Sequence, residues 1–278
     1  MAGLKGRWGL LIALIALGVY FALPILASIY FTIVPAGGGL SEASPSAYGA
    51  ILTTEGFGPS LLMSFGLGVV SVVAVLALLL PAMVAVELSL PKLRPVVETL
   101  CTLPLIIPPI ALGAGVIAVM RSSADGIADT PVFDLLVALQ NPSFPLVLAL
   151  MYVILALPFV YRSLDAGLSA LPVRTLVEAA SGLGASWRTV MLQVVLPNLR
   201  TSVLNAAFLS LALVLGEFTI AVLLGFQPFA VWIYAISGSE AQVSVAASVL
   251  SLLITWFALL ALSYLGGKRG QQAVVKGV

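Results

Sequence analysis

Six long apolar stretches constrain this chain more than any other feature of its sequence. They cover residues at about 8–34, 61–86, 95–119, 143–161, 201–225 and 242–265. A helix that crosses the hydrocarbon core of a bilayer needs about 20 mostly apolar residues, and strands are rarely that long. Lipid also requires every backbone N–H and C=O to be paired within the protein, which a helix achieves by itself. The sequence therefore predicts an all-α membrane protein with six transmembrane helices.

The composition excludes several classes of soluble protein and of catalyst. Only 8% of the 278 residues are charged, against about 25% in an average soluble domain. The net charge of +1 offers too little basic surface for binding nucleic acid. A single cysteine, Cys101, and the lack of histidine exclude a disulfide framework, a Cys/His zinc site and a Ser-His nucleophile pair. Since the apolar stretches hold no paired aspartates either, an intramembrane enzyme is not expected.

The first apolar stretch has features of both a signal peptide and a transmembrane helix. Lys5 and Arg7 precede it, and Ala27-Ser28 offers the small residues of a cleavage site. Its apolar run is longer than that of a typical signal peptide, so we interpret it as an uncleaved transmembrane helix.

The basic residues fall almost wholly on one side of the predicted bundle. Of the 12 Lys and Arg residues, all except Arg121 lie on the side of the N-terminus. They are Lys5, Arg7, Lys92, Arg94, Arg162, Arg174, Arg188, Arg200, Lys268, Arg269 and Lys276. The loops of the opposite side carry Glu42, Glu55, Asp125, Asp129, Asp134 and Glu240. Because Lys and Arg concentrate in cytoplasmic loops, both termini are predicted to lie in the cytoplasm.

Three prolines, Pro104, Pro108 and Pro109, interrupt the third apolar stretch. Each removes a backbone donor and clashes with the preceding turn, so together they are expected to break or kink the helix. Carbonyls freed within a membrane are tolerated only where protein or a water-filled cavity pairs them. The stretch is thus a candidate lining of a translocation pathway, and a packing kink without a transport role is the alternative.

Glu217 lies near the middle of the fifth apolar stretch. A carboxylate at the centre of a bilayer costs about 2.5–3.5 kcal/mol on insertion scales, so its side chain should face a cavity or a polar partner. Two roles stay open: contact with a solute in the pathway, and a structural hydrogen bond to another helix. Every Lys and Arg lies in a loop or at a boundary, so no cationic partner is evident and a protonated carboxyl group is an option.

The longest connection on the basic side, residues 162–200, is expected to have structure of its own. Apolar residues recur at helical spacing from Leu176 to Leu183, which predicts a short helix with one packing face. Gly184 is placed to end that helix, and Ser186 is placed to cap the next one. The loop is therefore predicted to form a helix-turn-helix.

The same loop contains a motif with fixed spacing. It reads Glu-Ala-Ala, three residues, Gly, nine residues, an aliphatic residue, one residue and Leu-Pro, at Glu178, Ala179, Ala180, Gly184, Val194, Leu196 and Pro197. In these residues the sequence resembles the inner-membrane permease subunits of binding-protein-dependent ABC importers, with Val in the usual Ile position. The resemblance extends from about residue 60 to 265. With its proline-rich third stretch and Gly216-Glu217-Phe218 in the fifth, the sequence is similar to the spermidine/putrescine-type permeases.

The resemblance implies a type I ABC importer permease fold in three parts. Residues 1–60 would hold the first transmembrane helix and an outer loop. Residues 61–265 would form the core permease domain, with the cytoplasmic coupling loop at 162–200. Residues 266–278 would be a cytoplasmic tail.

The resemblance also implies roles for the motif residues. The helix at about 174–184 would be a coupling helix that docks into a separate ATPase subunit. Glu178 would make a polar contact, Ala179 and Ala180 would permit close packing, and Gly184 would form the turn. Leu196-Pro197 would mark the entry to the fifth span.

Partners and location follow from the same resemblance. Two ABC ATPase subunits would bind ATP and Mg, so this chain is expected to be a transport subunit without a cofactor and not an enzyme. The sequence contains no phosphate-binding loop motif, which agrees with that division. A second permease subunit, expected to be a homologous chain, would complete the pathway. An external solute-binding protein would deliver the solute to a complex in a bacterial inner membrane.

The charges of the chain bear on the nature of the solute. The acidic outer loops and Glu217 favour a polyamine-like cation. A sulfate/molybdate-type permease is the alternative within the family, because the sequence is nearly as similar to that type. An ATP-independent secondary transporter or channel is the alternative of a different class. It does not explain the helix-turn-helix predicted for residues 162–200.

Overall fold

A computed structural model describes residues 2–34, 38–127 and 130–267 of the chain. Several charged residues used in the orientation argument lie outside the residues whose side chains are described: Lys5, Arg7, Asp125, Asp129, Lys268, Arg269 and Lys276. Nearly all of the predicted tail, 266–278, lies outside as well. Every regular element in the described ranges is helical, which confirms the all-α prediction.

The helices follow one another along the chain with short connections. They are α1 (Ala2–Ile33), α2 (Ser46–Ile51), α3 (Phe57–Leu88), α4 (Arg94–Thr102), α5 (Pro109–Ile127), α6 (Pro131–Leu139), α7 (Leu146–Ser169), α8 (Val173–Gly182), α9 (Trp187–Thr189), α10 (Leu196–Asn198), α11 (Arg200–Gly216), α12 (Thr219–Leu223), α13 (Phe229–Ile236) and α14 (Ala241–Gly267). Short 3-10 turns lie at Leu40–Glu42, Pro91–Leu93 and Leu103–Leu105, and the π-helical segment Val190–Val195 joins α9 to α10.

Four of the described helical segments are each long and apolar enough to cross a membrane. They are Gly9–Ile33, Phe57–Leu88, Leu146–Ser169 and Ala241–Ala261, which correspond to the first, second, fourth and sixth predicted stretches. Two further candidates are pairs of helices joined by a sharp bend, of 96° and 77°. The described residues therefore contain four candidate spans, or six if each bent pair counts as one span.

The third stretch breaks at its prolines, as predicted. Helix α4 ends at Thr102, a 3-10 turn covers Leu103–Leu105, and α5 begins at Pro109. The two helical parts are bent by 96° relative to each other. Proline at the start of α5 has no N–H to leave unpaired, so this is a position where a helix readily begins.

The fifth stretch departs from the prediction of one helix over residues 201–225. Helix α11 ends at Gly216, and Glu217 has an extended backbone with φ −75° and ψ 128°. A separate short helix, α12, follows. The apolar character of residues 201–225 does not reveal this break, because the break accompanies hydrogen bonds from backbone N–H groups of α12 to the Glu217 side chain.

The chain divides into two compact units, and the first consists of Met1–Gly58 with Trp232–Ile254. In this unit the side-chain amide of Gln242 donates to the carbonyl oxygens of Phe31 and Val34, at 3.1 and 3.0 Å. These bonds pair carbonyls at the end of α1 that have no partner within the helix. The indole N–H of Trp232 donates to the carbonyl of Glu55 at 2.8 Å.

The second unit, Pro59–Val231 with Thr255–Val278, is built around α7. Every fourth residue of this helix is almost inaccessible, and the buried row consists of Leu148, Tyr152, Ala156, Val160 and Leu164. Residues four apart lie on one face of a helix, so α7 presents a continuous buried stripe. The helix packs against α11, α4 and the Leu103–Leu105 turn.

Gly167 allows the end of α7 to approach α11 closely. A Cβ atom at this position would overlap the side chain of Ser202 and lie 3.0 Å from Leu199 Cδ2. One helical turn earlier, the hydroxyl of Ser163 donates to the carbonyl of Ser202 at 2.9 Å. The close approach is therefore fixed by packing and by a hydrogen bond.

Substituting Gly167→Leu is expected to force α7 and α11 apart and to destabilise the protein by about 1–3 kcal/mol, as overpacking typically does. Thermal unfolding of the detergent-solubilised protein measures this as a lower Tm. Gly115→Leu is the matched control, because Gly115 is also helical but has open space where a Cβ would lie. Equal Tm values for the two variants would contradict the assigned packing role.

Candidate functional site

The helix-turn-helix predicted for residues 162–200 is present. Helix α8 ends at Gly182, and Gly184 follows with a φ of +81°, a conformation that favours glycine. The N–H of Ala185 donates to the carbonyl of Ala180 at 3.1 Å, and the N–H of Gly184 donates to the carbonyl of Ser181 at 2.9 Å. This pair of bonds is the Schellman arrangement, so Gly184 ends the helix as predicted.

Ser186 starts the second helical part of the hairpin. Its hydroxyl oxygen accepts a hydrogen bond from the N–H of Thr189 at 3.3 Å, which confirms the predicted cap. Helix α9, the π-helical segment and α10 then continue to Asn198, where the chain bends by 77° into α11. Leu196 is partly buried and Pro197 is exposed in this last part.

Helix α8 has one buried face and one exposed face. Val173 and Val177 are buried in the core cluster of the second unit. On the other face Glu178 and Ala179 are exposed, and Ala180 is partly buried between the two faces. The motif residues that the resemblance assigns to docking thus include both exposed and packed positions.

The structure corrects the predicted apolar face of this helix at Leu183. Its spacing from Leu176 places it on the packing side, yet its side chain is 90% exposed. The reason is local, since Leu183 lies at the end of α8, where the backbone leaves the helical path and turns at Gly184.

The exposed surface of the hairpin combines a carboxylate with large apolar side chains. Trp187 is 50% and Leu192 is 64% exposed, in addition to Leu183. Within the described chain, the carboxylate of Glu178 makes no hydrogen bond or ion pair. Exposed apolar side chains that cluster on a surface commonly mark a site of protein interaction. We refer to these four residues as the hairpin surface.

The base of the hairpin is fastened to the end of α3. The guanidinium group of Arg174, in the first turn of α8, donates to the carbonyl of Leu88 at 3.1 Å. Leu88 is the last residue of α3. The bond pairs a carbonyl that has no partner within its own helix, and it holds α8 in a defined position.

An open groove of about 510 Å³ brings together all four sequence-predicted pathway residues. Residues 104–109, which include Pro104, Pro108 and Pro109, line the groove and are called the proline wall, and Glu217 lies in the broken segment that lines the groove as well. Leu155 and Phe159 of α7 contribute apolar surface, as do residues of α11. Among the described lining residues, Glu217 carries the only charge.

Glu217 accepts hydrogen bonds from the backbone of the helix that follows it. Its Oε1 atom accepts from the N–H of Ile220 at 2.8 Å, and its Oε2 atom accepts from the N–H of Ala221 at 3.4 Å. The first N–H groups of a helix have no partner within the helix, so the carboxylate acts as an N-terminal cap of α12. A carboxylate has about four lone-pair sites, so these bonds leave acceptor capacity unused.

Tyr152 is a neighbour of Glu217 that sequence reasoning missed. Its hydroxyl oxygen is buried and makes no hydrogen bond of standard geometry among the described residues, and the Glu217 carboxylate is a charged group close enough to interact with it electrostatically. In the sequence Tyr152 is one more member of an apolar run and lies 65 positions from Glu217. Only its four-residue spacing from Leu148 and Ala156 indicates the buried face of α7.

Residues 77–269 match the protein family described as binding-protein-dependent transport system inner membrane component. The match covers more than half of the chain and includes both the hairpin and the groove. No curated protein matches the chain.

Proposed function

Because the chain belongs to the family of binding-protein-dependent transport system inner membrane components, we propose that it forms half of a translocation pathway for a small solute delivered by an external binding protein. Family membership makes it an integral inner-membrane protein and the permease subunit of an ABC importer, a transport subunit and not a catalytic enzyme. The observation that carries the proposal is the groove that gathers Pro104, Pro108, Pro109 and Glu217.

The groove has features that suit transient contact with a solute. Its walls are mostly apolar side chains, and a single carboxylate supplies the charge. Conduction requires binding that is weak enough for the solute to leave again. A carboxylate that already accepts backbone hydrogen bonds attracts a cation without enclosing it.

We propose that the hairpin surface docks onto a separate ATPase subunit, with α8 as the coupling helix. The exposure of Glu178, Ala179 and Leu183 supports this role, and so does the small size of Gly184. A single chain presents one such hairpin, while an ABC importer closes two ATPases on two coupling helices. The working complex is therefore proposed to contain two ATPases, which bind ATP and Mg, and a second permease subunit, in our proposal a homologous chain. Both termini of this chain are proposed to be cytoplasmic.

Reconstitution into vesicles tests this function. The complex purified from its native membrane is expected to contain an ATPase and to take up solute only when ATP and the binding protein are present. Uptake without an ATPase, driven by an ion gradient and abolished by ionophores, would instead establish the secondary-transporter alternative.

For the solute we propose a polyamine-like cation, on the basis of Glu217 in the groove and the acidic residues Glu42, Glu55, Asp134 and Glu240. Thermal-shift measurements of the cognate binding protein decide the class of solute. Spermidine or putrescine is expected to raise its Tm, because a ligand stabilises the state that it binds. A shift with sulfate or molybdate and none with polyamines would favour the oxyanion alternative.

A further inference from the structure

Arg94 joins the ends of three helices through one guanidinium group. Its Nη2 atom donates to Asp165 Oδ1 at 2.7 Å and to the hydroxyl of Ser169 at 3.2 Å, both on the last turns of α7. Its Nη1 atom lies 3.5 Å from Glu87 Oε2, near the end of α3. Arg94 is itself the first residue of α4. The planar guanidinium group thus fixes the relative orientation of α3, α4 and α7.

Each partner of this contact leads along the chain to one of the two sites, Arg94 to the groove and Asp165 to the hairpin. From Arg94, α4 continues through the Leu103–Leu105 turn into the proline wall of the groove. From Asp165, α7 continues through a short connection into α8. The ion pair is therefore a polar link between the helix that leads into the wall and the helix that leads into the hairpin.

Stability alone gives a weak reason for this arrangement. The side chains of Arg94 and Asp165 are 42% and 34% exposed. Ion pairs with that access to solvent contribute about 0–1 kcal/mol to folding. Apolar packing of Val97 and Cys101 against the core cluster already holds α4 on α7. A directional contact such as this ion pair is better suited to making two helices move together than to stabilising the fold.

We propose that Arg94 is a positioning residue that makes the proline wall of the groove follow the hairpin when an ATPase moves it. The proposal rests on the proposed function. Asp165 and Ser169 receive the displacement from α8 through α7, and Arg94 passes it to α4. Without the ion pair, the hairpin still moves and ATP is still hydrolysed, but the displacement of the proline wall is smaller.

A cysteine in the wall reports this movement without knowledge of the solute. Ile106 is 81% exposed in the proline wall. Ile106→Cys is made with the buried Cys101 left in place, the chain without Ile106→Cys serves as the labelling blank, and the full complex with its ATPase is placed in lipid nanodiscs. The rate of labelling by a membrane-impermeant maleimide is measured with and without ATP and vanadate. With Arg94 intact, nucleotide is expected to change the labelling rate.

The Arg94→Gln variant is expected to reduce that nucleotide-dependent change by roughly 5- to 20-fold, within the usual range of coupling between two sites. Its Tm and its rate of ATP hydrolysis should stay near those of the parent, a result that a purely structural role does not give. Asp165→Asn should have the same effect. The double variant should be no worse than either single variant, because both remove one interaction.

Arg162→Gln is the matched control, since Arg162 is an exposed arginine of α7 without a hydrogen bond or ion pair among the described residues. It should label like the parent. A parental labelling response in Arg94→Gln overturns the inference, and if that variant does not assemble, Asp165→Asn decides in its place. If the parent complex binds no ATPase, the proposed function itself fails.

Discussion

Replacing Gly184 by tryptophan is expected to abolish coupling between ATP hydrolysis and uptake while the permease stays folded. No heavy atom lies within 4 Å of where a Cβ would be, so the first carbon of a new side chain has open space around it. Because Gly184 follows the exposed Leu183 at the end of α8, we expect the indole to lie on the hairpin surface. The positive φ of Gly184 adds about 1–2 kcal/mol of local strain for any residue with a Cβ.

The loss of coupling is expected to arise from weaker binding at the contact with the ATPase. A clash in the centre of a docking surface costs about 2 kcal/mol or more, which corresponds to roughly 30-fold weaker binding. Co-elution of the ATPase with the purified permease measures binding, and ATP-driven uptake in vesicles measures coupling. Both are expected to fall, whereas the Tm of the isolated permease should change only by the strain at the turn.

Two smaller substitutions separate bulk from strain at this position. Asparagine adopts the left-handed conformation more readily than other residues with a Cβ, so Gly184→Asn should keep most of the coupling. Gly184→Ala introduces the strain of a Cβ at positive φ without the bulk of an indole ring. Parental binding and uptake in Gly184→Trp would show that the hairpin surface is not the ATPase contact.

The hairpin and the break at the prolines were predictable because their causes are local. Gly184 and Ser186 end and begin helices through hydrogen bonds within four or five residues, and such local signals can be recognised in a single sequence. The same holds for the break at residues 104–109, where three prolines within six residues each remove a backbone donor and clash with the preceding turn. The prediction that Leu183 lies on the packing face was wrong for a related reason, because α8 ends one residue before it and helical spacing no longer applies there.

The break at Glu217 and the ion pair of Arg94 were not predictable from composition or spacing. Residues 201–225 are apolar enough for one span, and the helix stops because a single side chain caps the next helix. Arg94 and Asp165 lie 71 positions apart, so only the packing of α4 on α7 brings them together. Hydropathy describes which segments are buried in lipid and carries no information on which polar groups meet.

Glu217 serves one role that the structure defines and a second that transport measurements must test. The defined role is the cap of α12, which uses oxygen acceptors and needs no negative charge. The proposed role is attraction of a cationic solute in the groove, which needs the charge. The two roles respond differently to substitution. A glutamine keeps one side-chain oxygen for the N–H of Ile220, whereas alanine keeps none.

We therefore expect Glu217→Gln to assemble with its ATPase and binding protein and to retain its Tm, but to transport a cationic solute roughly tenfold or more slowly. A hydrogen bond to a charged group contributes about 1.5–3 kcal/mol, which sets the scale of that loss. Glu217→Ala should also lose about 1 kcal/mol of stability with the cap. Uptake and substrate-stimulated ATP hydrolysis in reconstituted vesicles, together with thermal unfolding, measure both effects.

Thr219→Val supplies the control within the same groove, because it removes a lining hydroxyl at nearly constant volume and leaves the charge in place. It should transport close to the parental rate. If Glu217→Gln transports at the parental rate and Glu217→Ala is destabilised, the carboxylate is only a cap. The charge in the groove would then give no reason to prefer a cationic solute, and the choice between polyamine and oxyanion would depend on the binding protein alone.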